Sequence, residues 1–326
     1  MVKIFFGFGI YSKGVDQIEN KTNIDPDVDQ LFSHLQKSWS GISEFTGVRL
    51  AQAEDNSVAT IAKQGFFVLD EAGTRIQYVA LSPTQAPNLV ANEVSRLESI
   101  INSLDPELQD VVPGPLHQSI YDGRSLSVLT CFQPIPSGGV RRHLYKRLVK
   151  KQLLKWVFDV SKTTLKDRDS ADIDKTVLAP LQWILDNDKL PDRIQSAADE
   201  ALESLNTGFW VPKTVLMHGD LWLGNVLFVG NFPRLDFRLI DWGGARINGY
   251  PTYDLVRILE SLRFSSKFSR EIIQDYEEKL GLTSTDLVSN LLCAVGSYGI
   301  DPDQLTLQRI DELIVNCFDY LKAVNK

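Results

Sequence analysis

The chain has 326 residues, 43% of them apolar and 23% charged, with a net charge of −8. That length exceeds one small core and asks for one large domain or two lobes. The acidic balance argues against a general nucleic-acid binder. Three distant cysteines (Cys131, Cys293, Cys317) offer no zinc framework and suit a reducing compartment, and four scattered histidines argue against a histidine-built metal site.

The opening MVKIFFGFGIYSKG holds an apolar run of about six residues without a cleavage pattern after it, which argues against a signal peptide. No stretch approaches the ~20 apolar residues of a membrane span, so a cytoplasmic protein is expected. Residues 20–40 turn from polar to amphipathic around Leu31, Leu35 and Trp39, a lead-in segment with one helix. From Gly47 to about Pro83, GVRLAQAED, SVATIAKQGFFVLD and TRIQYVALSP read as three antiparallel strands parted by DNS and EAG turn signals.

PNLVANEVSRLESII then recurs at helical spacing through Val90, Val94, Leu97 and Ile101, with Asn88 as the expected cap. Glu93 stands at the edge of that apolar face. Two readings of it stay open: a side chain tipped into water, or a buried ion pair. SLSVLTCF (125–132) is a further strand and QPIPSGG (133–139) a linker by composition. Helical patterns fill about 140–205. TVLM, VLFV and FRLID are short strands around residues 218–225, and the chain is mostly helical from Tyr253. The layout is α+β. Residues 1–132 form an N-terminal lobe, residues 133–326 a helical C-terminal lobe, and a cleft is expected between them.

The chemistry concentrates in HGDLWLGN (218–225), where Asp220 and Asn225 are five apart, and in FRLIDWGG, where Asp241 ends an apolar strand sixteen residues later. Asp and Asn with Gly mostly mark turns, and a lone His-Gly-Asp carries little weight. The ensemble says more. Mg²⁺ takes oxygen ligands, few of them from protein, and Asn225 and Asp241 supply that share, while Asp220 is placed to accept a hydroxyl proton as phosphate transfers.

HGDLWLGN…LIDWGGARINGYPTYDL resembles the aminoglycoside phosphotransferase and choline kinase superfamily of small-molecule kinases, most closely over about residues 214–258. The resemblance implies a two-lobed protein-kinase-like fold, with a small antiparallel-sheet N-lobe and a larger helical C-lobe. It implies ATP and Mg²⁺ as cofactors and transfer of the γ-phosphate to a hydroxyl of a small-molecule acceptor, without nucleic acid or stable membrane insertion. It makes Asp220 the catalytic base and Asn225 and Asp241 the metal ligands, with His218 bracing the loop. Asp254 would accept backbone N–H bonds from that loop, and Gly224 would serve backbone conformation. Adenine would bond to the backbone around Cys131, between Thr130 and Gln133. Trp222 and Trp242 read as packing residues.

The sequence departs from the family in two places. The third-strand lysine that pairs with the helix glutamate falls on Ala80 or Leu81, neither of which binds phosphate. Lys63 lies on the neighbouring strand about 5 Å away, so it is either the replacement that pairs with Glu93 or a solvent-facing lysine. The phosphate-covering loop AEDNSVA lacks glycine; Ser57 and backbone N–H groups are its candidates, with Glu54 and Asp55 opposing. These gaps keep a nucleotide-binding pseudokinase or regulatory module as the alternative. RRHLYKRLVKKQLLK (141–155) holds seven basic residues and no acid: a solvated amphipathic face, or a face for an anionic acceptor, partner or membrane surface. A cationic acceptor would want acidic walls such as Asp254, Glu260 and Glu312.

Overall fold

The computed structural model describes residues 28–42, 47–50, 63–71, 74–134, 139–230, 235–301 and 306–325. In chain order these form α1 (Val28–Ser38), β1 (Gly47–Leu50), β2 (Gln64–Leu69), β3 (Arg75–Leu81), α2 (Leu89–Ser103), α3 (Pro106–Gln109), β4 (His117–Tyr121), β5 (Arg124–Thr130) and β6 (Gln133–Pro134). There follow α4 (Gly139–Thr164), β7 (Lys166–Asp167), α5 (Ala179–Asp186), α6 (Asp192–Asn206), β8 (Lys213–Met217), β9 (Val226–Val229), β10 (Asp236–Leu239) and β11 (Arg246–Gly249). The chain closes on α7 (Tyr253–Leu262), α8 (Ser266–Leu280), α9 (Ser284–Ile300) and α10 (Leu307–Val324). No helix of the described residues is long and apolar enough to cross a membrane.

The fold is α+β with two compact units. One comprises the residues up to Ser99, Asp110–Tyr145 and Val226–Ile240; the other comprises Ile100–Gln109, Lys146–Asn225 and Asp241 onward. The expected single cut at residues 132/133 is therefore too simple. β6, read as part of a linker, pairs antiparallel with β9, and β9 with β10, so that hairpin joins the first unit. TVLM and VLFV, taken as strands of one unit, lie in different sheets: β10-β9-β6 and β11-β8-β7.

The first unit is built on an antiparallel sheet of order β1-β2-β3-β5-β4. Alternate side chains of a strand point to opposite faces. Val79 and Leu81 of β3 accordingly pack with Phe66, Val68, Leu126 and Val128 under Leu31 and Leu35 of α1. Tyr78 and Ala80 meet Val90 and Val94 of α2. β4, absent from the sequence reading, pairs with β5 through a turn at Asp122 and Gly123, both at positive φ (50° and 70°). Two expectations for α2 are corrected. Its first N–H groups, at Val90 and Ala91, are capped by the Ser82 and Ser125 hydroxyls (2.9 and 3.0 Å), not by Asn88, because those serines sit on the strands beneath the helix start. Its buried tail residue is Ile100, fully enclosed, where Ile101 was expected.

In the second unit α9 is buried along Leu287–Gly299, as an all-round apolar helix must be. α7 carries an apolar stripe inward (Leu255, Val256, Ile258, Leu259, Leu262) and keeps Asp254 and Arg257 one turn apart on a common face.

Candidate active site

HGDLWLGN leaves β8 after Met217 and ends in a single 3₁₀ turn, Leu223–Asn225, that runs straight into β9. A loop this polar cannot be buried unless its backbone groups find partners. Asp254, in the first turn of α7, accepts the N–H groups of His218 (2.5 Å) and Gly219 (3.1 Å). The Asp220 N–H donates to His218 Nδ1 at 3.3 Å, and the buried imidazole packs on Trp242 with ring centroids 4.4 Å apart. The Leu223 N–H donates to Ser261 Oγ (3.1 Å), and the Tyr298 hydroxyl donates to the Gly219 carbonyl (2.7 Å).

The Asp220 carboxylate is held at both oxygens. Asn225 Nδ2 donates to Asp220 Oδ2 at 3.0 Å and to the Asp220 backbone oxygen at 2.9 Å. Arg257 Nη2 lies 3.7 Å from Oδ1, while Arg257 Nη1 donates to Glu260 at 3.4 Å. Burial pushes the Asp220 carboxyl up to about 7, with the charges of Asp241 and Asp254 adding to the rise and Arg257 and the Asn225 bond opposing it. Burial also pushes Asp254 up to about 7, against its two backbone bonds and Arg257.

Asp241 follows β10 in the left-handed region (φ 64°, ψ 61°), which side chains other than Gly, Asn and Asp rarely adopt. The segment it opens passes close to the 218–225 loop at two glycines. A Cβ on Gly219, at φ +82°, would sit 2.1 Å from the Gly244 carbonyl oxygen. Gly219 is thus the glycine whose backbone conformation the loop requires. Gly224, expected to play that part, is not at positive φ. Its hydrogen leaves room for the Trp222 indole, which a Cβ would meet at 2.2 Å.

The structure brings Asp220, Asn225, His218 and Asp254 together, and Asp241 opens the segment whose Gly244 packs against Gly219. In the first unit Lys63 Nζ donates to Glu93 Oε2 at 2.7 Å, so Glu93 takes the ion-pair reading. Lys63 immediately precedes β2, whose Gln64 pairs with Leu81 and Gly65 with Ala80. Lys63 thus adjoins the stretch of β2 paired with the very positions that lack the expected lysine. Lys63→Ala is expected to weaken nucleotide binding about tenfold, as loss of a charge-assisted bond does; equal dissociation constants in a fluorescence titration would remove Lys63 from the site.

Of the backbone expected to meet adenine between Thr130 and Gln133, the Cys131 N–H is already donated to the Ile76 carbonyl at 3.1 Å, because the chain still follows β3 there. Ser57 lies outside the described residues. Sequence reasoning missed Arg257, Ser261 and Tyr298. The three-residue spacing from Asp254 could have flagged Arg257; nothing local flags the other two.

Residues 141–287 match the model of a family described as the phosphotransferase enzyme family. Two solved structures align over most of their length. An aminoglycoside 2′-phosphotransferase-IIIa, solved as its GDP complex, is 15% identical, with 92% of this chain and 98% of that one covered and a TM-score of 0.51. The choline kinase of Cryptosporidium parvum Iowa II is 13% identical, with 91% and 95% covered and a TM-score of 0.52. No curated protein matches the chain. Fold and loop thus define the class: a two-lobed α+β protein with the fold of small-molecule kinases. Over the residues that carry the loop, the model matched is that of the phosphotransferase enzyme family, and the fold is similar to those of the aminoglycoside phosphotransferase and the choline kinase.

Proposed function

We propose that this protein is a small-molecule kinase that moves the γ-phosphate of ATP to a hydroxyl group. The observation that carries this reading is the clamp on Asp220, one carboxylate oxygen toward Asn225 and the other toward Arg257. A base so held can receive the proton of an incoming alcohol without reorienting. Asp254 ties down the loop's backbone, and His218 and Trp242 pack behind it.

The donor set fits Mg²⁺. With its Nδ2 committed to Asp220, Asn225 keeps Oδ1 as an oxygen ligand, and Asp241 adds a carboxylate. Two protein oxygens are the share that Mg²⁺ takes when water and phosphate supply the rest. When bound, Mg²⁺ would neutralise charge on the transferring phosphate. Lys63, aligned by Glu93, would serve the nucleotide phosphates.

The test is a screen of hydroxyl compounds for acceptor-dependent release of ADP from ATP, or of GDP from GTP. Release that depends on an acceptor supports the kinase. Nucleotide binding without release, across a broad panel, favours the pseudokinase. Asp241→Ala is expected to abolish the Mg²⁺-dependent part of nucleotide affinity while leaving the fold intact; a Mg²⁺ response equal to wild type would sink the ligand assignment.

A further inference from the structure

Among the described residues two arginines of the second unit, Arg168 buried and Arg246 half-buried, make no ion pair. Arg168, directly after β7, is only 8% exposed. Its Nη1 and Nη2 donate to the carbonyl oxygens of Asn248 (3.4 Å) and Gly249 (3.0 Å), its guanidinium lies 4.7 Å from the Tyr250 ring centre, and its Nε has no partner. Arg246, the first residue of β11, donates from Nη1 to Ser297 Oγ at 2.9 Å and lies 5.6 Å from the Tyr298 ring centre. Among the described residues neither meets a carboxylate within 4.0 Å, whereas Arg257 meets two. Burial depresses the Arg168 pKa; the charges of Tyr250, Cys293 and Asp172 oppose that fall, and the charge of Arg246 adds to it least.

Arg246 stands next to the proposed chemistry, and Arg168 holds the far end of its strand. Arg246 is paired in register with Met217, the residue before His218. Tyr298, against which it lies, bonds the Gly219 carbonyl. The neighbouring Ile247 and Asn248 are exposed, so this edge reaches solvent. Carbonyl dipoles and ring faces offset part of the cost of a buried guanidinium, and an anion offsets the rest. Arg246 commits one Nη to Ser297, and a guanidinium fork matches carboxylate or phosphate. The acids that could have greeted a cationic acceptor are engaged elsewhere: Asp254 with the loop backbone, Glu260 with Arg257, and Glu312 with Gln308 on α10.

Building on the kinase reading, we infer that Arg246, backed by Arg168, receives a carboxylate or phosphate group of the acceptor, which is therefore an anionic hydroxyl compound.

Inorganic phosphate and malonate serve as probes, titrated by thermal melting with and without ADP and Mg²⁺. Both are expected to raise the wild-type melting temperature, and the stronger of the two tells phosphate from carboxylate. In Arg246→Gln the anion's dissociation constant rises about tenfold or more. In Arg246→Lys, which keeps a charge but not the fork, it stays within about threefold. Arg193→Gln removes an exposed arginine paired with Asp319 and leaves it unchanged. A wild type indifferent to both anions, or equal constants in wild type and Arg246→Gln, overturns the inference. In the acceptor assay, glycerate and glycerol 3-phosphate are expected to exceed glycerol and choline in kcat/KM, and preference for choline also overturns it. Absence of ADP release with every compound counts against the kinase itself, and the titration still decides the anion site.

Discussion

Asp220→Asn is expected to abolish phosphate transfer, lowering kcat about 10³-fold, while nucleotide affinity stays within about threefold of wild type. Asparagine keeps the size of the side chain and an oxygen toward one neighbour, so the loop, held through Asp254 and Tyr298, stays in place. What it cannot do is take up a proton at neutral pH. Single-turnover transfer beside equilibrium nucleotide binding separates the two quantities, and turnover near wild type would refute the base assignment. Because the carboxylate is the active form and burial pushes the Asp220 carboxyl up to about 7, activity should fall as pH drops through that range.

The largest stability effect is expected at Asp254. Its two oxygens accept the N–H groups of His218 and Gly219. Removing them in Asp254→Ala leaves two interior donors without partners, each worth about 1–3 kcal/mol, and a loss of about 2–5 kcal/mol should follow. Urea unfolding followed by tryptophan fluorescence measures it, and a loss below about 1 kcal/mol would show that water replaces the carboxylate freely. The sign of the pH dependence can be worked out. Burial raises the Asp254 carboxyl from the ordinary aspartate range to about 7, so between about pH 4 and 7 the native protein holds a proton that the unfolded chain has released. Native stability therefore declines as pH rises through that window, and Asp254→Asn, which cannot titrate, should flatten the decline.

How much of this was legible depended on distance along the chain. Asp220, Asn225 and Asp241 stand within two short segments, and their spacing implied their grouping before any coordinates. The Lys63–Glu93 pair was legible because adjacent strands lie close enough for a lysine of one to reach the space beside the other, and Gln64 is paired with Leu81. Arg257 was half legible, one turn beyond Asp254 in a helix already placed. Tyr298 and Ser297 come from α9, far along the chain, and only tertiary packing brings them to Gly219 and Arg246. The hairpin of β4 and β5 was a missed signal: Asp122-Gly123 is the dipeptide that a tight two-residue turn favours. Gly224 shows the opposite error. A glycine in a loop suggests a special backbone angle, and here it answers a crowding indole.

The hairpin of β9 and β10 starts immediately after Asn225 and finishes just short of Asp241, and it is counted with the sheet unit while both of those residues are counted with the helical one. The polypeptide thus threads back and forth between its halves, and no single scission yields either of them whole. A fragment starting at residue 146 would forfeit Ile100–Gln109 and carry a stranded ribbon lacking β6 to pair with. Attempts to express the helical half in isolation should therefore give insoluble material, and a swap of halves with another kinase would need several matched junctions.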